Sequence, residues 1–109
     1  MKVIALIMAV LLVVPVLTVT AQETYQIAEG KWFGCETKEE FNELLDYLLD
    51  DDYEAFNNAL AIGLMTGTCT IFESGETVYL EDTSILSGLV KVRRPGETRE
   101  YWTNLEALE

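Results

Sequence analysis

Beyond residue 36 the hydrophobic pattern changes period once, and that change divides the chain. Phe41, Leu44, Leu45, Leu48 and Leu49 recur at helical spacing and place one apolar face on a helix. Thr37, followed three residues later by Glu40, is a capping box for its start. Asp50-Asp51-Asp52 interrupts the run and caps a second helix, because an Asp side chain accepts the free backbone N–H groups of a first turn. Tyr53, Phe56 and Leu60 form the inner stripe of that helix, and Gly63 is placed to end it. The pattern predicts a helical hairpin over residues 36–63. After Gly67 the period is two. Strands are expected at Cys69–Phe72, Thr77–Glu81, Leu89–Arg93 and Thr98–Thr103, with a turn at 73–76 and a loop at 82–88. Arg94-Pro95-Gly96-Glu97 fits a type II turn, and Asn104 to Leu108 suits one closing helical turn. Residues 22–34 read as a lead-in, with Trp32 and Phe33 as an apolar plug. The fold class is therefore α+β, a helical hairpin packed on a small, partly open antiparallel β half over residues 68–108.

Residues 70–108 resemble a bacterial Src-homology-3-like (SH3-like) domain. The likeness lies in Gly75-Glu76-Thr77-Val78-Tyr79-Leu80, in Gly88-Leu89-Val90-Lys91-Val92-Arg93, in Gly96 with Tyr101-Trp102, and in a terminal Leu105 or Leu108. Leu89 stands where that family usually has Trp, and the helical hairpin replaces its opening strand. The resemblance implies a small twisted barrel of the kind that binds walls, peptides or proteins.

The N-terminus adds a compartment. Lys2 is followed by an apolar run from Val3 to Val19, broken only by Pro15 and Thr18, and then by Val19-Thr20-Ala21. This is the pattern of a secretory signal peptide, residues 1–21, cut after Ala21 to leave one mature domain, residues 22–109. The expected location is periplasmic or extracellular, with no membrane attachment after cleavage. Cys35 and Cys69 are the 2 cysteines of the chain. In an oxidising space one structural disulfide is the expectation. A redox role lacks the C-x-x-C spacing and a neighbouring His or Lys that lowers a thiol pKa.

Charge and composition narrow the chemistry. With 0 histidines among 109 residues there is no Ser-His-Asp triad, no Cys-His pair and no His-ligated metal. The net charge of −12 repels phosphate, so nucleic acid is excluded as a partner. Asp50 to Glu54 has carboxylates in series, but Ala55 and Ala61 stand where a calcium-binding EF-hand loop needs Gly and Glu. No metal, cofactor or catalytic residue is assigned, and a non-enzymatic protein is expected. Residues 36–54 hold nine acids against Lys38 alone, and Glu39, Glu43, Asp46 and Asp50 form one stripe opposite the apolar helix face. That stripe is a solvated face or a dock for a basic protein. Lys91, Arg93, Arg94 and Arg99 cluster on the last hairpin. They protect a sheet edge or meet an anionic wall polymer. Strand alternation turns Tyr79 outward together with one of Tyr101 and Trp102, a possible aromatic contact spot. The chain thus reads as an exported binding module for a protein or cell-wall component. The alternative is a secreted acidic inhibitor of a basic hydrolase such as a lysozyme. The candidate binding residues are Tyr79, Tyr101, Trp102, Glu39, Glu43 and Asp46.

Overall fold

The structure, a computed structural model, describes residues 22–109. The expected signal peptide lies outside the described residues. Six strands and two helices follow one another: β1 (Thr24–Gln26), β2 (Trp32–Cys35), α1 (Lys38–Leu49), α2 (Tyr53–Thr66), β3 (Cys69–Phe72), β4 (Thr77–Ser84), β5 (Leu89–Arg93) and β6 (Glu100–Asn104). A 3-10 turn, Leu105–Ala107, closes the chain. The strands form one antiparallel sheet in the order β1-β4-β5-β6-β2-β3, which is not closed. The fold is α+β. No helix among the described residues is long and apolar enough to cross a membrane.

Both helices start as their sequences dictate. The Thr37 side chain accepts the Glu40 N–H at 3.1 Å, and the Asp52 side chain accepts the Ala55 N–H at 3.1 Å. The capping box is only half made. Glu40 does not turn back to Thr37, because its carboxylate accepts the Thr68 hydroxyl at 2.9 Å across the hairpin. The second helix runs past Gly63 to Thr66, and Gly67, at φ 81°, ends it in the left-handed conformation that Gly adopts without strain. Gly63 has a packing role. It is buried, and a Cβ there would lie 2.7 Å from the Cys69 sulfur.

Cys35 and Cys69 face each other on β2 and β3 and are disulfide-bonded. The lead-in forms two strands, and from it Phe33 enters the helix-side core while Trp32 packs against the core on the other face. The partners of these strands lie far along the chain, at Tyr79 for Thr24 and at Phe72 for Trp32, so no local hairpin pattern announces them. β4 extends to Ser84, past a bulge between Leu80 and Asp82. Glu97 N–H donates to the Arg94 carbonyl at 3.1 Å and Gly96 sits at φ 81°, which makes the expected Pro-Gly turn.

The sheet carries a core on each face. On the helix side Phe33, Cys35, Phe41, Leu44, Cys69, Leu89 and Trp102 pack with the inner sides of α1 and α2. On the other side Ile27, Phe72, Val78, Val90, Val92 and Tyr101 pack together, with Leu108 against them. Ile27 fastens this second core, bonding Glu76 and Gly75 and bridging to Leu108. Two stripe assignments are corrected. Leu49 and Tyr53, at 73 % and 58 % exposure, lie outside the core, one on each side of the Asp50–Asp52 turn that reverses the chain between the helices.

Candidate functional site

The aromatic contact spot expected from alternation does not form. Tyr101 and Trp102 point to opposite faces, as the period requires, yet both are buried, because each face of the sheet is covered. Tyr101 meets Phe72 edge to face at 6.3 Å. Trp102 lies under two ammonium groups, Lys38 Nζ 4.8 Å and Lys91 Nζ 5.5 Å from its ring centroid. Tyr79 remains on the outer surface, half-buried beneath Arg93, whose guanidinium carbon is 5.0 Å from the ring centroid. The three aromatics therefore lie in three separate environments.

The basic cluster is likewise distributed among acids. Lys91 pairs with Glu100 at 3.5 Å, Arg93 with Glu81 at 3.6 Å, Arg94 with Glu76 at 2.7 Å and Arg99 with Glu36 at 3.8 Å. Arg94 is the most engaged of the four. Besides its two contacts to Glu76 it donates to the Thr70 hydroxyl at 2.9 Å and to the Ile71 carbonyl at 3.0 Å. It thereby ties the turn before β4 to the free edge of β3. Burial pushes the Glu76 carboxyl up, but the Arg94 hydrogen bond, the Glu73 N–H and the Arg94 charge outweigh it and hold the group below its ordinary value. A general acid needs the opposite displacement.

The acidic stripe keeps its place. Glu39, Glu43 and Asp46 lie exposed on α1, and none is in an ion pair among the described residues. Tyr47 donates to Glu43 at 3.1 Å. That hydrogen bond, with the negative charge of Glu43, burial and Asp52 adding to it, raises the Tyr47 phenol above its usual value. Glu40, on the hairpin's inner side, places a carboxylate oxygen 3.3 Å from the Cys69 sulfur. Cys35, Glu40 and Cys69 lie within 4.8 Å of one another, but both sulfurs are spent on the disulfide, so the trio offers a cation a single carboxylate.

The feature that sequence reading did not assemble is a cleft of about 560 Å³ between the hairpin and the β2–β3 edge. Leu48 of α1 and Phe56 and Leu60 of α2 form one wall, while Lys31, Trp32, Phe33 and Ile71 form the other. Phe56 and Leu60 share a face because they are four residues apart on a helix. Phe33 and Ile71 are opposite each other across the β2–β3 ladder. Phe33 stacks on Phe41 at 4.9 Å and meets Phe56 edge-on at 5.3 Å, which fixes the floor. Ile71 is 50 % exposed, an apolar side chain held open at the rim. Each wall residue except Ile71 and Lys31 carries an apolar signal in its own element. The signal missing from the sequence is the β2–β3 pairing that sets the second wall opposite the first.

Fold and site together define a disulfide-linked α+β domain with an open apolar cleft beside an acidic helical hairpin. Comparison with family models, with curated proteins and with solved structures finds no match for the chain.

Proposed function

We propose that the chain is a small exported, non-enzymatic binding protein whose partner is another protein, held at the cleft between the helical hairpin and the β2–β3 edge. The cleft is the observation that carries this reading. Its size lies within the range of ligand sites, and its walls are apolar apart from Lys31. The disulfide and the expected signal peptide support an exported protein. A cell-wall polymer is the weaker choice of ligand, since the cations that would meet an anionic polymer are each paired with an acid. The SH3-like resemblance of the β half agrees with a binding role but supplies no groove, since Trp102 and Tyr101 are buried. The test is co-sedimentation of the oxidised, exported protein with cell-wall sacculi at low and physiological salt. We expect it to remain in the supernatant at both, and retention at both would overturn the choice of a protein partner.

The exposed acidic stripe favours a second reading, an inhibitor that covers a basic hydrolase such as a lysozyme. Lysine replacements at Glu39, Glu43 and Asp46 should then abolish inhibition, with affinity falling steeply as salt rises. Equal inhibition by that variant would dismiss this reading.

A further inference from the structure

Resting on the reading of the cleft as a partner site, we propose the chemistry of what enters it. The occupant is a short segment of a partner protein carrying large apolar side chains flanked by lysine or arginine, seated by side-chain insertion and not by addition of a strand to β3. Charge decides the flanks. Asp50, Asp51 and Asp52 form the turn that joins Leu48 to Phe56, two residues of the cleft's helical wall, so the acids stand where a bound segment leaves the cleft at that end. The whole chain, at −12, draws cations and repels an anionic amphiphile. Leu49 and Tyr53, 73 % and 58 % exposed, add two apolar side chains to the surface at the same turn.

The manner of seating follows from the edge. β3 pairs with β2 alone, and an unpaired edge invites another strand. Here the Ile71 carbonyl already accepts from Arg94, and Arg94 is held in turn by Glu76 and Thr70. A ladder would have to break that set of bonds, whereas the Ile71 side chain stays free to be covered. Lys31, the one charged residue of the lining, stands on the sheet side and can donate to a carbonyl of the bound segment.

Trp32 lines the cleft and is part-exposed, so its fluorescence reports occupancy, while Trp102 is buried. The oxidised, exported protein is titrated with three synthetic probes. The first is a peptide with leucine and phenylalanine between lysines, the second the same peptide with glutamates for lysines, the third dodecanoate. Calorimetry in parallel, with Trp32→Phe as the optical control, confirms the site. The lysine peptide should bind and shift the Trp32 emission. Ile71→Ser should weaken it about tenfold while leaving the melting temperature nearly unchanged, since Ile71 is half-exposed. Asp50→Asn with Asp51→Asn should weaken it at low salt and flatten its salt dependence. Equal binding of the glutamate peptide would overturn the charge assignment. Binding of dodecanoate alone would make the cleft a lipid site, ending this proposal and the protein-partner reading while leaving a working cleft. Failure of all three probes would end both this proposal and the reading it rests on. If Arg94→Ala strengthened binding while Ile71→Ser had no effect, strand addition would replace side-chain insertion.

Discussion

At the scale of single residues, Arg94 and Gly63 do most to set the local geometry. Arg94 satisfies a carboxylate, a hydroxyl and a backbone carbonyl from two segments that no backbone ladder joins. Arg94→Ala leaves Glu76 part-buried without its partner, and should cost about 1–3 kcal/mol, seen as a lower urea midpoint with an unchanged slope. Glu76 also sets a pH dependence. Its carboxyl in the folded chain lies below the ordinary value of 4.5, so the bond to Arg94 contributes full stability above that value. The contribution is lost as pH falls through the depressed folded value. Glu76→Gln should therefore flatten the acid limb of a stability-against-pH curve, and an acid limb identical to that of the natural protein would contradict the assignment. At Gly63 an added methyl would press on the disulfide, 2.7 Å from the Cys69 sulfur. Gly63→Ala should destabilise by about 1–3 kcal/mol, although alanine ordinarily favours a helix. A more stable variant would mean that α2 moves away freely.

At the scale of elements, the helical hairpin is started by its caps and bracketed by the disulfide that joins the flanking strands β2 and β3. Asp52 accepts the Ala55 N–H, and Asp52→Ala should lower stability by about 1 kcal/mol in thermal unfolding. Asp51 takes φ 57° in the turn, a conformation that Asp tolerates better than most side chains. The caps were legible from residue type alone, because a cap bonds within three residues of itself. The helix end was not. Gly63 and Gly67 are both suitable stops by composition, and only the close approach of Cys69 shows that the first is a packing glycine. β1 and β2 were hidden for a related reason. They are short, and what makes them strands is pairing with residues that follow 34 to 67 positions later.

At the scale of the whole molecule, two cores cover the faces of one open sheet, and a single disulfide lies in the helix-side core. The bond joins adjacent strands across a sequence separation of 34, which in the chain-entropy model is worth about 3–4 kcal/mol. Reduction should lower the melting temperature by more than about 10 °C for a domain of this size. The purified protein should also show no free thiol by titration. Two reactive thiols, or a melting point indifferent to reductant, would defeat this account. The same architecture explains the buried pair at Tyr101 and Trp102. Alternation correctly sends them to opposite faces, but a sheet with one face on water would leave one of them exposed. Here the hairpin covers Trp102, and the curled sheet with Ile27 and Leu108 covers Tyr101.

What the sequence by itself determined is whatever depends on near neighbours and on composition. The α+β class, both helix starts, the Pro-Gly turn and the positions of the four strands after Gly67 follow from period and cap chemistry within a few residues. The strand ends do not, since one strand runs on to Ser84 and the last spans Glu100–Asn104 instead of the expected Thr98–Thr103. The disulfide follows from there being 2 cysteines in a chain with an export pattern, and the exposed acidic stripe from charges spaced by helical turns. Only the tertiary structure decided which surfaces remain open. Each cation of the last hairpin finds an acid from another element or from a neighbouring strand. The cleft exists because Ile71 and Phe33 are set against Leu48, Phe56 and Leu60 by strand pairing across a sequence separation of 38. Contacts of that range are fixed by burial of the whole, and no local window of the sequence carries them.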